Sequence, residues 1–103
     1  MFNPQRGFHT YYVYIITNRY KSVLYTGLTN NLKLRLSQHQ EKMHPDSFSS
    51  RYNVQHLIYY EKFTWIQEAI AREKEIKNWN REKKVALIRS FNAEMKFLEE
   101  GFM

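Results

Sequence analysis

Arg35 and His39 lie four residues apart, shortly after Tyr25 and Gly27. On a helix this spacing stacks the two side chains one turn apart. The apolar stripe of that helix consists of Leu32, Leu36 and Met43. Arg35 and His39 fall at its edge, where long polar side chains often extend from an apolar surface into water. The pair therefore either lies at the edge of the apolar stripe for structural reasons alone or belongs to a site that binds phosphate and transfers protons.

A carboxylate occupies an apolar position on a later helix. The predicted buried stripe of that helix consists of Ile66, Ala69, Ile70 and Ile76. Glu73 falls near the middle of this stripe, and burying an unpaired carboxylate is costly. Lys77, one turn further on, offers a structural ion pair, and Arg35 offers another. The remaining partner is a divalent cation, since Mg²⁺ often binds one or two carboxylates and keeps its waters and substrate phosphates.

These side chains together suit the hydrolysis of a phosphodiester bond. The candidate group consists of Tyr14, Tyr25, Arg35, His39 and Glu73. Arginine binds phosphate through two parallel hydrogen bonds, and a metal ion stabilises the charge that develops on phosphate oxygens. A tyrosine, with an ordinary pKa near ~10, becomes a useful base if a neighbouring cation lowers that pKa.

Other site chemistries are excluded or disfavoured by composition. The chain has 103 residues, no cysteine and only three glycines, so it has no disulfides, thiolate metal site or P-loop. No two of its four histidines form a pair suited to zinc on one predicted helix. The N-terminus lacks the pattern of a signal peptide, and no apolar run approaches the ~18 residues of a membrane span. A reducing cytoplasm is the expected location, with no membrane partner.

The charge distribution favours a polyanionic partner. The formal net charge is +6, and residues 72–84 contain six Lys or Arg against three Glu. A clustered basic surface is typical of nucleic-acid binding. The predicted nucleic-acid contacts are Gly27, Arg51, Lys74, Lys77, Lys83 and Lys84. Gly27 is included because a residue without a Cβ lets backbone approach a phosphate or the next helix.

Periodicity and turn residues predict six main elements that would position these groups. They are strands over 9–18, 23–26 and 54–63, and helices over about 32–43, 64–79 and 81–91. The expected caps are Asn30 or Asn31, a Thr64–Gln67 capping box, and Asn78 or Asn80.

The order β-β-α-β-α-α predicts a single α/β (α+β) domain over residues 1–103, with its core over about 10–91. A small three-stranded antiparallel sheet flanked by about three helices is the natural packing. One sheet face should stay partly open and lined by tyrosines. The tail, residues 92–103, should add a last turn and then fray.

Two tyrosine motifs and their spacing resemble the GIY-YIG nuclease superfamily. Tyr12-Val13-Tyr14 precedes Tyr25-Thr26-Gly27 by the spacing of that pattern, and a helix arginine, a histidine and a later glutamate follow. Over about residues 10–90 the chain looks like the small single-domain bacterial members. The supporting stretches are YYVYI, VLYTGLTNNL, LIYYE, EAIAREKEIKNW and KKVALI.

The resemblance implies a site and an activity. By it, Tyr14 and Tyr25 match the two motif tyrosines, Arg35 and His39 match the helix pair, and Glu73 matches the metal-binding glutamate. The implied activity is Mg²⁺- or Mn²⁺-dependent cleavage of DNA, with branched, damaged or single-stranded DNA as the candidate substrates, as in DNA repair. A tyrosine or the histidine would handle the proton of the attacking water.

The chain departs from the family pattern at three points. The second motif reads Tyr-Thr-Gly rather than Tyr-Ile-Gly, and Leu34 stands where some relatives carry a lysine. No second DNA-binding domain is evident, so a protein partner could supply targeting. Two rival hypotheses from other classes are a nucleic-acid-binding module that does not cleave and a basic scaffold that binds proteins.

Overall fold

The computed structural model describes residues 10–41 and 51–102. Three antiparallel strands form its sheet, in the spatial order β2-β1-β3. In chain order the elements are β1 (Tyr11–Thr17), β2 (Leu24–Thr29), α1 (Leu32–Gln40), β3 (His56–Phe63), α2 (Ile66–Lys77), α3 (Arg81–Phe91) and a 3₁₀ turn (Glu99–Phe102). The predicted order and α+β class are confirmed. In the described part of the chain, no helix has the length and hydrophobicity needed to cross a bilayer.

Alternation along β1 builds a hydrophobic cluster on each face of the sheet. Tyr14 and Ile16 pack with Leu32 and Leu36 of α1. On the other face the cluster contains Val13, Ile15, Ala69, Ile76 and Ile88, the last three from α2 and α3. The tyrosine-bearing face is more covered than we expected, because α1 packs on it and Tyr14 is only 1% exposed. Tyr12, Tyr25 and Tyr60 on the same face are half-buried.

Element boundaries follow local hydrogen bonding. β2 continues through Gly27 to Thr29 rather than ending at residue 26, because Gly27 pairs with Tyr14 in the ladder. Asn31 caps α1 by accepting a hydrogen bond from the Leu34 N–H at 3.1 Å. α1 ends at Gln40, and the predicted stripe residue Met43 lies outside the described residues.

The start of α2 differs from the prediction. The helix begins at Ile66 after Trp65, without a side-chain cap, so the Thr64–Gln67 capping box is wrong. Ala69 and Ile76 are buried, but Ile70 is 37% exposed and does not belong to the buried stripe. Each helical residue turns by about 100°, which carries Ile70 away from the sheet while Ala69 faces it. At the start of α3, Asn80 caps by accepting from the Lys83 N–H at 2.8 Å.

The tail is bonded to β3 instead of fraying. The Leu98 N–H donates to the Leu57 carbonyl at 2.7 Å, and the Glu99 carboxylate accepts from the Leu57 N–H at 3.0 Å. The same carboxylate lies 2.6 Å from His56 Nδ1. Asn92, also buried, donates to the Ile58 carbonyl at 3.0 Å. These bonds fix the described tail to the beginning of β3, so the prediction of fraying is wrong there.

Candidate active site

Tyr14 lies at the centre of the candidate site, and Gly27 makes room for it. The two residues are partners across β1 and β2. A Cβ built on Gly27 would lie 2.4 Å from both Cζ and Oη of Tyr14, far inside van der Waals contact. The space next to Gly27 therefore holds the phenol ring. This is a different reason for the glycine from the close approach to a phosphate that the sequence suggested.

Helix α1 brings Arg35 and His39 to the Tyr14 hydroxyl. The hydroxyl oxygen lies 2.9 Å from His39 Nε2 and 3.4 Å from Arg35 Nε, which donates to it. A guanidinium has only donors, so the phenol oxygen accepts from Arg35. His39 Nε2 accepts the phenol proton when the ring proton is on Nδ1, and donates to the phenol oxygen when it is on Nε2. The one-turn spacing of Arg35 and His39 thus places both on the same phenol.

Tyr25 joins the group from β2. Its ring packs edge-on against His39, with centroids 5.8 Å apart, as the Tyr14 ring does at 5.9 Å. A hydrogen bond between Tyr25 and Arg35 contributes to the raised pKa of the guanidinium. Tyr25 is half-buried whereas Tyr14 is buried, so Tyr25 is the more accessible of the two phenols.

Arg35 has no carboxylate partner among the residues that the structure describes. Its Nη1 donates to Gln38 Oε1 at 3.1 Å, a neutral contact that sequence reasoning missed, although Gln38 follows at the helical i+3 position. Burial lowers the pKa of Arg35, but hydrogen bonds and charge interactions with Tyr14 and Tyr25 raise it by more. The net shift of the pKa is therefore upward. Arg35 is therefore a permanent cation held by neutral groups.

Glu73 is only partly buried, with 18% of its side chain exposed. Its Oε2 lies 3.4 Å from Lys77 Nζ, one turn along α2. Of the two predicted ion pairs, the one with Lys77 forms, and the described residues give none with Arg35. Burial is the main cause of the raised pKa of Tyr14, and the negative charge of Glu73 adds a smaller contribution in the same direction.

Glu73 could bind a divalent cation that takes most of its other ligands from water and substrate. The described residues contain no group of three or more His, Cys, Asp or Glu able to hold a metal. A closed protein cage is therefore absent from this part of the chain. Glu73 supplies one hard oxygen donor, which suits an ion such as Mg²⁺ that keeps its waters and binds substrate phosphate oxygens.

Burial controls the pKa of Tyr14. Burial is the largest cause of a rise in the pKa from 10.0 to about 12, and the charges of Tyr25 and Glu73 add to it. The hydrogen bond and charge of Arg35 lower the pKa of Tyr14, as expected of a nearby cation, but burial raises that pKa by more. The Tyr14 hydroxyl is a neutral donor at neutral pH.

The ionisation of Tyr14 predicts a loss of stability in strong base. The folded pKa exceeds the unfolded value, so the full contribution is present below pH 10 and is lost as the pH rises through about 12. Two pKa units correspond to about 2–3 kcal/mol. Urea unfolding below pH 10 and near pH 12 should show wild type losing that much more stability than Tyr14→Phe. Tyr59, whose pKa burial also raises, is common to both proteins, and parallel pH profiles would contradict the prediction.

Apart from Gly27 in β2, the predicted nucleic-acid contacts lie on α2, α3 and the segment before β3. Arg51 and Lys74 are exposed, and Lys84 is half-buried. Lys77 faces Glu73, and the Lys83 ammonium lies 4.4 Å from the centroid of the Trp79 ring. Their contact with nucleic acid stays a prediction.

Arg72, the first cation of the basic run, is already paired. Its Nη2 lies 2.9 Å from Glu61 Oε2 and its Nη1 lies 2.7 Å from Glu75 Oε1. Two carboxylates therefore already pair with this guanidinium, which is not among the predicted nucleic-acid contacts.

Comparisons with known proteins find similarity over most of the chain. Residues 10–86 match the family model of the GIY-YIG catalytic domain. A UPF0213 protein of Staphylococcus haemolyticus is 37% identical over 78 residues, covering 76% of this chain and 93% of the relative. A UPF0213 protein of Clostridium perfringens is 40% identical over 79 residues, covering 77% of this chain and 83% of the relative.

A solved structure is similar as well. The solution NMR structure of a UPF0213 protein from Bacillus halodurans superposes with a TM-score of 0.51 at 28% sequence identity, covering 81% of this chain and 86% of that one. The family model spans both tyrosine motifs, the Arg35–His39 helix and Glu73. The chain therefore belongs to the GIY-YIG family, whose catalytic domain includes every residue of the candidate site.

Proposed function

We propose that the protein is a divalent-metal-dependent endonuclease that hydrolyses DNA phosphodiester bonds. The observation that carries the proposal is the state of Arg35. Its guanidinium is held by the Tyr14 hydroxyl and the Gln38 amide, and no carboxylate of the described residues pairs with it. A fixed, uncompensated guanidinium beside two phenols is a suitable receptor for a phosphate.

Arg35 binds the scissile phosphate in this proposal. The planar guanidinium forms parallel hydrogen bonds to two phosphate oxygens and holds the phosphorus in one orientation. Positive charge next to the reacting group also favours the extra negative charge of the transition state. Gln38 acts through Arg35, since its side-chain oxygen holds Nη1 at 3.1 Å.

Tyr25 orients the attacking water, because it is more accessible than Tyr14. Tyr14 positions Arg35 and His39 through its hydroxyl, which stays protonated at neutral pH. In the tautomer that carries its proton on Nδ1, His39 Nε2 would accept from that hydroxyl, 2.9 Å away, so the imidazole would fix the phenol and could take up a proton released within the group. Histidine is the side chain most often used for such transfers near neutral pH.

Glu73 would hold the divalent ion, Mg²⁺ or Mn²⁺, through its carboxylate. Such an ion stabilises negative charge on phosphate oxygens and promotes formation of hydroxide from bound water. Lys77, whose ammonium lies 3.4 Å from Glu73, holds the carboxylate when no metal is bound. With a metal ion on Glu73, Lys77 would be free to contact the nucleic-acid backbone.

DNA is the favoured substrate, in a branched, damaged or single-stranded form, and a cytoplasmic role in DNA repair fits it. Lys74, Lys83 and Lys84 would contact phosphates beyond the cleaved bond, which would make binding salt-dependent. A protein partner for targeting would compensate for a small DNA-binding surface.

Nicking of supercoiled plasmid tests the proposal. We expect conversion to the open circular form with Mg²⁺ or Mn²⁺ and none with EDTA. Binding of the same plasmid without nicking under any metal condition would contradict the endonuclease and favour the module that binds without cleaving.

Arg35→Lys separates a phosphate receptor from a boundary residue. Lysine keeps the charge but loses the planar fork, so we expect nicking to fall about a hundredfold, comparable to losing one transition-state donor. Fold and DNA affinity should be retained, as measured by thermal unfolding and filter binding. Arg89→Lys, an exposed arginine in the last turn of α3, is the matched control and should leave the rate unchanged. Full activity of Arg35→Lys would remove Arg35 from the site.

A further inference from the structure

A cavity of about 250 Å³ lies between the β1–β2 turn and the segment that leads into β3. It is lined by Asn18, Arg19, Tyr20, Tyr52, Asn53, Gln55 and His56. None of these residues belongs to the candidate active site. Pockets for drug-sized ligands occupy roughly 300–1,000 Å³, so this smaller cavity suits a ligand of one or two rings.

Two exposed aromatic rings and an arginine border the cavity. Tyr20 is 76% exposed and Tyr52 is 48% exposed. The guanidinium carbon of Arg19 lies 5.3 Å from the centroid of the Tyr20 ring, and no carboxylate among the described residues pairs with Arg19. Aromatic and guanidinium planes are the surfaces on which unpaired nucleobases stack.

The polar side of the cavity is held rigid by the fold. Asn18 Oδ1 accepts from the Ser22 N–H at 2.8 Å, and its Nδ2 donates to Ser22 Oγ at 2.8 Å. His56 is fixed through Nδ1 by Glu99, at 2.6 Å, and by Phe97, whose ring stacks on it at a centroid distance of 3.9 Å. No described residue bonds the second ring nitrogen, Nε2, which would bond the edge of a ligand. A site of this kind requires little ordering on binding.

Cations surround the same turn. Arg81 binds the carbonyl oxygens of Lys21 and Ser22, at 2.6 and 3.1 Å, and the Lys21 ammonium lies 5.4 Å from the Phe97 ring centroid. The exposed Arg51 precedes Tyr52 in the chain. Positive charge around a stacking surface is the pattern of proteins that bind single strands, because the charges follow the backbone while the rings hold bases.

The cavity and the candidate active site lie along one strand. Tyr14 is in β1, and Asn18 follows the end of that strand. At about 3.3 Å per residue the four-residue separation spans roughly 13 Å. Stacked nucleotides advance about 3.4 Å each along one strand, so a single strand of about four nucleotides, or fewer if extended, joins the two places.

We propose that this cavity binds an unpaired nucleobase of a DNA strand, a few nucleotides from the scissile phosphate. The ring stacks at Tyr20 and Tyr52, Arg19 contacts the neighbouring phosphate, and His56 bonds the base edge. The identity of the strand as DNA and its cleavage nearby rest on the proposed function. The substrate class is then DNA with a single-stranded segment, since a paired base cannot enter.

Equilibrium binding in EDTA tests the cavity without cleavage. The probes are a labelled single-stranded oligodeoxynucleotide and its matched duplex. Replacing Tyr20 and Tyr52 together by alanine should weaken single-strand binding at least about tenfold, as expected for lost base stacking, and change duplex binding less than twofold. Tyr20→Phe keeps a ring and should retain affinity. Trp65→Ala removes a ring that is 59% exposed, beyond the opposite end of β3, and should have no effect.

A second probe keeps the test independent of variant folding. Titration of wild type with thymidine monophosphate, followed by NMR, should shift resonances of Tyr20, Tyr52 and His56. Unchanged single-strand affinity in the double variant, or equal losses for single strand and duplex, would overturn the base site. A single-stranded RNA of the same sequence is a further probe. If the double variant loses affinity for this RNA and not for the oligodeoxynucleotide, the assignment of the bound strand to DNA is overturned. Because no metal is present, a protein that fails to nick but shows the expected selectivity would contradict only the proposed endonuclease.

Discussion

Glu73→Gln is expected to abolish metal-dependent nicking while the protein stays folded and still binds DNA. Glutamine keeps the size of the side chain but removes the charge that would hold Mg²⁺ or Mn²⁺. The transition-state stabilisation that a metal ion supplies amounts to several kcal/mol, so we expect at least about a hundredfold loss of rate. Plasmid nicking across a metal titration measures it.

Thermal unfolding separates this result from a loss of structure. The Glu73–Lys77 pair is an i,i+4 contact with 48% of the lysine side chain exposed, and exposed pairs contribute about 0.3–0.5 kcal/mol. The stability of Glu73→Gln should therefore be close to that of wild type. Divalent ions should raise the Tm of wild type through linkage and that of the variant much less.

Glu75→Gln is the matched control for Glu73→Gln. Glu75 is a carboxylate of the same helix that pairs with Arg72 and has 53% of its side chain exposed. This variant should keep both activity and the response to metal. A strongly destabilised Glu73→Gln with an unchanged metal response would show that Glu73 is a structural residue.

Gly27→Ala is expected to destabilise the protein by about 2–3 kcal/mol, the cost of overpacking a filled core. The added methyl group would overlap Cζ and Oη of Tyr14 at 2.4 Å, and Tyr14 is only 1% exposed. For a chain of this size that loss lowers Tm by roughly 10–20 °C. The displaced phenol would also break its contacts to His39 and Arg35, so nicking should fall together with stability.

A double-mutant cycle tests the cause of that loss. Tyr14→Leu removes the atoms that would clash, so adding Gly27→Ala to it should cost less than about 1 kcal/mol, and the two changes should be strongly non-additive. Tyr14→Phe keeps Cζ and should give little relief. Gly101→Ala, whose Cβ would meet no atom within 4 Å, is the control. Additive effects of Gly27→Ala and Tyr14→Leu would exclude the steric explanation.

Sequence patterns predicted the elements that depend on neighbouring residues. Strand alternation and helix spacing predicted the β-β-α-β-α-α order, and the short polar side chains of Asn31 and Asn80 cap helices as expected. The Thr64–Gln67 box failed, because such a motif also depends on where the helix meets the sheet. The anchoring of the tail through Glu99 depends on a partner more than forty residues away, which local patterns do not encode.

The five candidate residues of the site were predictable from the sequence, whereas the contact of Gln38 with Arg35 and the electrostatics of the group were not. One-turn spacing placed Arg35 and His39 together, the apolar stripe of the later helix singled out Glu73, and the family resemblance matched Tyr14 and Tyr25 to its two motif tyrosines. The purpose of Gly27 followed only from the strand register that sets it opposite Tyr14. The direction of the Tyr14 pKa shift depended on how deeply α1 buries the ring, a property of the packed structure.

The anchored tail also affects which backbone groups of β3 are open to pairing with another strand. With the strand order β2-β1-β3, β3 is an edge strand, and an exposed edge is a template for pairing with a second chain. Leu98 and Glu99 occupy the carbonyl and N–H of Leu57, and Asn92 occupies the carbonyl of Ile58. These backbone groups are closed to strand addition without a fourth strand. Asn92, Leu98 and Glu99 thus cover the outer edge at the beginning of β3, where they would hinder pairing with the edge strand of a second molecule.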